Sequence, residues 1–402
     1  MRAVKILQQS IAPLLSFVHA KRLAAVFWAV QTLLLGNRLS LTGIGRAKKS
    51  RGKDDHGVKH SIKRVDRLLG NEKLHGEMLL FFYAIASILI GGKQRPVILV
   101  DWTDAGLEHV ALVAALPTDG RALTIYAEVH PMKKVGNPAV QKHFLRKLHA
   151  ILPTECRPII VTDAGFQNAW FREIFSWGWD FVGRIRGSVM ARPENGSRWR
   201  HIKELFGRAV FKARDLGFWS IAKYNPVGLR LVAIKKRCIR TTIHGGTAAR
   251  KGRKRAMEPW LLATSLADAT PKKIVDVYAA RMQIEETFRD AKNHRFGWSF
   301  EDSRSTTCER ILVLLLIAVM GMLAVTLLGQ AAERRGDHLD YQANRTRRKR
   351  RVLSLFFLGK NIICVGDSDR YSLSELRGSL QEIREKLPGL RGEATSCFVG
   401  IP

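Results

Sequence analysis

The sequence predicts an α/β protein, a mixed β-sheet with helices packed on it, flanked by helical regions at both ends. Three observations predict it. Two apolar runs end in a carboxylate, Pro96-Val-Ile-Leu-Val-Asp101 and Pro158-Ile-Ile-Val-Thr-Asp163, and such runs read as buried strands. Between residues 96 and 184 the patterning gives the order β-β-β-α-β-α-β, which a mixed sheet with packed helices satisfies. The first 90 residues carry long apolar stretches and few strand signals.

Taken in order, Ile11–Val18, Leu23–Leu35 and Met78–Ile90 are the apolar parts of N-terminal helices, and Gly36-Asn37-Arg38 is a helix stop. Between them the basic run Arg46–Arg64 reads as a loop with phosphate-contacting cations, Lys63 and Arg64 closing it. After the first buried strand, His109–Leu116 and Leu123–Val129 form two more, joined by the turn Pro117-Thr-Asp-Gly120. Ala139–Leu152 has helical spacing, Pro158–Asp163 is a strand, Phe166–Phe175 a helix and Trp179–Arg184 a strand. Phe218–Tyr224 and Leu229–Lys235 flank Asn225-Pro-Val-Gly228 as a hairpin, followed by the basic stretch Lys235–Arg255 and a strand at Trp260–Ala263. Thr270-Pro271 pairs an N-cap with a proline at the first helical position, and one helix is predicted from there to Lys292. The tail past Gly336 holds the basic cluster Arg345–Arg351 and an amphipathic helix over Leu373–Leu387.

Composition narrows the function classes. The chain has 402 residues, enough for two to four domains, and 46% of them are hydrophobic, which excludes a disordered protein. Lys and Arg number 67 against 35 Asp and Glu, a net charge of +32 that calls for a polyanionic partner, nucleic acid first. A sequence pI near 10.5 is not that of an ordinary metabolic enzyme. The five cysteines are scattered without metal spacing, which points to reduced thiols and no zinc site. No export signal is read at the N-terminus, because the first long apolar run follows Lys21-Arg22 and ends in a helix stop. Ile311–Gly329 is nineteen uncharged residues, long enough to cross a bilayer, and reads as a helix buried in a large core.

The chemistry rests on carboxylates. An aspartate closing one strand is usually a turn or cap residue. Two of them, Asp101 and Asp163, closing strands of one sheet stand where sites assemble. On the helix from Thr270, Tyr278, Arg281, Glu285 and Lys292 are spaced by three, four and seven, which at 3.6 residues per turn keeps them on one face. Glu286 and Arg289 lie off that stripe. Three carboxylates without His or Cys suit hard divalent cations with oxygen ligands, Mg²⁺ or Mn²⁺. Two such ions can activate a hydroxyl and stabilise the leaving oxygen of a phosphodiester. Arg281 and Lys292 would hold neighbouring phosphates, with Tyr278 beside them.

At these residues the chain resembles the DDE transposases of bacterial insertion sequences, in the cut-and-paste branch with the Y-R-E-K signature, the family of insertion sequence four. The matching segments are Val100-Asp101-Trp-Thr-Asp104, Val161-Thr-Asp163-Ala-Gly-Phe166 and Tyr278-Ala-Ala-Arg281-Met-Gln-Ile-Glu285-Glu-Thr-Phe-Arg-Asp-Ala-Lys292. The flanking Ile62-Lys-Arg-Val-Asp-Arg-Leu-Leu-Gly-Asn71 is similar to the same branch. The resemblance implies an RNase H-like catalytic core over 91–335 with a β-rich insertion at 187–265, a helical DNA-end-binding region over 1–90 and a basic, mostly helical region over 336–402. It implies that Asp101, Asp163 and Glu285 bind two catalytic metal ions, and that Tyr278, Arg281 and Lys292 contact phosphates at the ends of the element. It also implies hairpin DNA ends with a flipped base, for which Trp260 is the stacking candidate, and Arg184 and Arg186 are placed near DNA. The implied partners are double-stranded transposon ends and target DNA, with a homodimer at paired ends and no membrane. The implied location is the bacterial cytoplasm, at the nucleoid.

Three other readings remain at this level. A tyrosine recombinase would use Tyr278 as nucleophile without metal, but no His-x-x-Arg partner accompanies it. A non-catalytic DNA-binding protein or degenerate transposase would keep the charge without the chemistry. A membrane protein would rest on 311–329 alone.

Overall fold

The computed structural model describes residues 1–47, 57–235, 258–295, 297–343 and 349–389. Residues 48–56 of the basic run Arg46–Arg64, nearly all of Lys235–Arg255 and the first part of the cluster Arg345–Arg351 lie outside the described residues.

Five helices open the chain: α1 (Arg2–Ile11), α2 (Ala20–Gly36), α3 (Leu41–Arg46), α4 (Val58–Leu69) and α5 (Glu72–Ile90). The helix stop after Leu35 is confirmed, since Asn37 caps α2 in the left-handed region at φ 54°. The end of the basic run differs from the expected loop. From Val58 it is helical, because Ser61, Val65, Leu68 and Leu69 form an apolar face that buries against neighbouring helices.

The strands are β1 (Val97–Asp104), β2 (His109–Pro117), β3 (Ala122–Pro131), β4 (Ile159–Thr162), β5 (Asp180–Ile185), β6 (Met190–Pro193), β7 (Arg200–His201), β8 (Arg214–Ile221), β9 (Val227–Ile234) and β10 (Trp260–Thr264). They form one mixed sheet in the order β3-β2-β1-β4-β5-β10-β9-β8-β6-β7. β4 pairs in parallel with β1 and β5, and the other pairings are antiparallel. The β-rich segment after β5 therefore extends the same sheet, with β10 paired to β5. Its hairpin turns earlier than expected. Ile221 faces Val227, and Ala222 takes a positive φ of 63°, so the turn is 222–226 and not Asn225–Gly228.

The remaining helices are α6 (Pro138–Ile151), α7 (Asn168–Ser176), α8 (Pro271–Ala279), α9 (Met282–Lys292), α10 (Cys308–Arg335), α11 (Leu355–Cys364) and α12 (Leu373–Lys386). The single helix expected from Thr270 to Lys292 is thus two. Its start is as read, with the Thr270 hydroxyl accepting the Lys273 N–H at 3.3 Å and Pro271 following.

α10 is the spine of the core. It packs against α1, α2, α4, α5, α11, α12 and β3, and Ile311–Ala332 is buried apart from Leu312. A helix apolar all round needs such surroundings or a bilayer, and here protein supplies them. The contact with α11 is close because Gly329 and Gly359 face backbone. A Cβ on Gly359 would lie 1.9 Å from the Val325 carbonyl oxygen, and one on Gly329 would lie 2.1 Å from that of Leu355.

Candidate active site

The parallel pairing of β1 with β4 sets Val100 level with Thr162, so the next residue on each strand, Asp101 and Asp163, stand side by side. β1 does not end at Asp101. It continues to Asp104, and the aspartate sits inside the strand opposite Val113 of β2. Asp163 follows β4 directly, and one of its oxygens accepts the Gly165 N–H at 2.8 Å, an Asx turn.

Glu285 arrives from across the sheet. Between α8 and α9 the chain tightens: Arg281 N–H donates to Tyr278 O at 3.0 Å, Gln283 N–H to Ala280 O at 3.0 Å and Ile284 N–H to Arg281 O at 3.1 Å. These three-residue bonds overwind the turn without leaving helical dihedrals, as at Arg281 with φ −54° and ψ −33°. α9 is then clasped to the β2–β3 turn. The Gln283 side-chain oxygen accepts the Thr118 N–H at 2.8 Å, the Thr287 hydroxyl exchanges bonds with Ala122 N–H and C=O, and Asp290 pairs with Arg121 at 2.5 Å. The sequence shows these polar residues at spacings four and three on one side of α9, a signal that the reading of the Y-R-E-K stripe passes over.

The result is a guanidinium between carboxylates. Arg281 Nη1 lies 2.5 Å from Asp101 Oδ2 and Nη2 lies 2.6 Å from Glu285 Oε1. Burial pushes the Asp101 carboxyl up to about 7; Arg281 opposes this, and the nearby Asp163 and Glu285 carboxylates add to it. For Arg281 burial works against the charge, but Asp101, Tyr278 and Glu285 outweigh it and raise its pKa. Lys292 donates to the Thr103 hydroxyl at 2.9 Å. Burial lowers the Lys292 pKa against the pull of Asp104 and Glu301.

Tyr278 is only 3% exposed. Its ring meets Trp260 edge-on at 4.7 Å between centroids, and the Arg281 guanidinium carbon lies 6.0 Å above it. Its place is beneath Arg281, not at the surface as a phosphate contact. Burial raises its phenol pKa although Arg281 and Arg184 pull the other way, which is the wrong direction for a tyrosine nucleophile. Trp260 is itself buried, at 7% exposure, within β10. With Tyr278 against it and so little of its surface exposed, its ring packs in the core and presents no open face for a stacked base. Arg184, half-buried on β5, reaches Tyr278, and burial lowers its pKa. Arg186 pairs with Glu258 at 2.7 Å. Lys63 and Arg64 lie on α4, whose main contacts are with α2, α3 and α10 and not the strands that carry the acids. Lys63 is exposed, while the Arg64 guanidinium stacks 4.0 Å over the Trp28 ring.

A cleft of about 500 Å³ opens on two of the three acids, Asp101 and Glu285, and is lined also by Trp102, Thr103, Phe288 and Lys292. Trp102 and Phe288 are aromatic surfaces that the motif reading passes over. Arg289, placed off the stripe by helical geometry, reaches the rim and pairs with Glu286. The donor chemistry fits a hard divalent cation, three carboxylates with no soft ligand among them. As arranged, no group of three His, Cys, Asp or Glu side chains among the described residues is placed to hold an ion. The Arg281 guanidinium takes the cationic place between Asp101 and Glu285.

Residues 92–321, more than half of the chain and all three acids with them, match the family described as the transposase DDE domain. The chain belongs to that family. Its DDE domain opens just before β1, takes in the whole sheet and closes inside α10. Among curated proteins none matches the chain. Membership makes this a transposase, an enzyme that acts by cutting DNA in the transposition of a mobile element.

Proposed function

We propose that this transposase binds the terminal inverted repeats of its own element, excises the element and joins it to target DNA, with Asp101, Asp163 and Glu285 as the catalytic carboxylates. The observation that carries the reading is the convergence of these three acids, two by strand register and one through Arg281. Their oxygen donors fit Mg²⁺ or Mn²⁺, two per site, in the place that the Arg281 guanidinium holds between Asp101 and Glu285. When bound, such ions would supply Lewis-acid activation of the attacking oxygen and charge stabilisation at the leaving one.

The chain's own cations do the rest. Lys292 holds a phosphate flanking the scissile bond as a point charge, and Arg281 holds another through two parallel hydrogen bonds once metal ions take over its place between Asp101 and Glu285. Tyr278 and Trp260 fix Arg281 from beneath, and Arg184 backs Tyr278. The reaction is phosphodiester hydrolysis by water, attack of the freed 3′-hydroxyl on the opposite strand to close a hairpin end, hydrolysis of that hairpin by a second water to free the 3′-hydroxyl again, and attack of that hydroxyl on target DNA. The strand order β3-β2-β1-β4-β5, with β4 parallel to its neighbours, supports an RNase H-like core. The spacing Tyr278, Arg281, Glu285, Lys292 supports the Y-R-E-K branch. We place the protein in the bacterial cytoplasm at the nucleoid, acting as a homodimer on paired ends.

The test is a plasmid carrying the gene with its native flanks, incubated with purified protein and Mg²⁺. Wild type should make double-strand breaks at inverted repeats, abolished by chelator and by Glu285→Ala. Binding without cleavage by wild type would leave a DNA-binding relic and overturn the proposal. Cleavage that persists in chelator would instead revive a covalent tyrosine mechanism.

A further inference from the structure

Beside the catalytic cleft a second pocket of about 540 Å³ opens, and Glu301 lines both. Its walls are the α2–α3 connection with Arg38 and Ser40, α3 with Thr42 and Arg46, and Arg304 from the segment that leads into α10. Arg38, Arg46 and Arg304 are all exposed, and none of their guanidiniums is hydrogen-bonded or ion-paired to another described residue. The acids of the same wall are engaged elsewhere. Glu301 lies 3.3 Å from His294 Nε2 and Asp302 lies 3.4 Å from His294 Nδ1. The Ser40 hydroxyl accepts the Gly43 N–H at 3.1 Å, which leaves its own proton to donate.

The pocket is fixed to the catalytic helix's exit. Leu39 N–H donates to Trp298 O at 2.6 Å, and Trp298 is 1% exposed, wedged where a Cβ on Gly321 would meet its ring at 2.9 Å. Gly43 closes against the connection too, since a Cβ there would lie 2.6 Å from that of Arg38. The three guanidiniums are therefore mounted on backbone tied to the end of α9 and not on a loose arm. Guanidiniums lacking carboxylate partners, with a hydroxyl donor among them, match the geometry of phosphate oxygens.

We propose that this pocket holds the phosphodiester backbone of the DNA strand that runs through the catalytic cleft, beyond the bond being cut, with Arg38, Arg46 and Arg304 as the phosphate ligands. The inference rests on the DNA-cleaving reading and assigns the grip to residues outside the Y-R-E-K stripe. Phosphate contacts position a strand without reading its sequence, so a labelled short duplex of arbitrary sequence is a sufficient probe.

The experiment measures its affinity across a salt series for wild type, for Arg38→Ala/Arg46→Ala/Arg304→Ala, and for Lys203→Ala/Lys212→Ala at the far edge of the sheet. Each phosphate contact contributes about 0.9 to the slope of log affinity against log salt, so the triple variant should lose about 2 to 3 from that slope. Its Kd should rise more than about tenfold at moderate salt, while the lysine pair stays near wild type. Arg304→Glu alone should weaken binding in the same direction, and thermal melts confirm that each variant folds. A triple variant with the wild-type slope and affinity overturns the pocket while leaving the transposase reading intact, as does an equal loss in the lysine pair. Failure of wild type to bind any duplex would overturn both.

Discussion

Arg281 and Asp101, 180 positions apart in the chain, meet at 2.5 Å, and the same guanidinium continues to Glu285 at 2.6 Å. A cation of the protein's own thus occupies the place that the acids offer to a metal. Without it Asp101 would be a buried carboxylate facing Asp163 and Glu285 alone. Breaking a buried ion pair from one side costs about 3–5 kcal/mol, so Arg281→Gln should unfold at a clearly lower temperature than wild type in chelator. The same change frees two carboxylates, and Mn²⁺ should bind the DNA-free variant more tightly than it binds wild type. Mn²⁺ should then restore part of the lost stability, by RT ln(1 + [L]/Kd). Calorimetric titration with Mn²⁺ and paired thermal melts check both halves. Equal Mn²⁺ affinity in the two proteins would mean that Arg281 does not compete for the site.

Trp260 distinguishes a core residue from a base-stacking one. It is buried on β10 with its ring against Tyr278, and Tyr278 underlies Arg281. Truncation of a buried Trp costs about 3–5 kcal/mol. Trp260→Ala should therefore lower the melting temperature strongly and weaken every DNA-processing step together. Trp260→Phe should recover most of both. A variant with wild-type stability and a selective block at a single step would show instead that the ring leaves the core to meet DNA.

Much of this was legible because the relevant signals are local. Apolar runs that lead to Asp101 and Asp163 mark buried strands, and of the Tyr278-to-Lys292 spacing Arg281 and Lys292 still reach β1, at Asp101 and Thr103. The rest depends on tertiary context. The tightening at Ala280–Arg281 uses ordinary helical dihedrals, so no residue announces it. β6 and β7 are four and two residues long, too short to show a period. Leu261–Thr264 pairs with β5 on one side and β9 on the other, and no sequence pattern distinguishes a tryptophan on such a central strand from one on an exposed edge. The partner of Asp290 is Arg121, fixed only once the β2–β3 turn is folded under α9.

Glu128 contributes to stability on the acid side. It is 7% exposed on β3, accepts the Tyr126 hydroxyl at 2.5 Å and contacts His130 at 2.9 Å, with Lys147 at 3.7 Å. Burial alone would raise its pKa; His130, Tyr126 and Lys147 together bring it below the ordinary 4.5. A carboxylate depressed in the fold contributes stability that is present above its unfolded pKa and disappears as pH falls through the folded one. Glu128→Gln should cost about 1–3 kcal/mol near neutral pH and less as pH drops below 4.5. Urea unfolding of both proteins across that range checks it, and a difference that does not shrink in acid would place the effect elsewhere.

Gly359 and Gly336 separate two reasons for a glycine. Gly336 closes α10 at φ 83° with nothing near its missing Cβ, so Gly336→Ala meets only left-handed strain, about 1 kcal/mol. Gly359 faces the Val325 carbonyl, where a Cβ would come within 1.9 Å. Neither backbone can step aside without parting α10 from α11, so Gly359→Ala should cost at least the 1–3 kcal/mol typical of overpacking. The shift also carries Lys360, whose buried ammonium donates to Gly297 O at 2.9 Å just beyond α9. Gly359→Ala should accordingly loosen the end of the catalytic helix, seen as faster amide exchange over α9, while Gly336→Ala leaves that exchange unchanged. Equal melting temperatures for the two variants would show that the helices separate without cost.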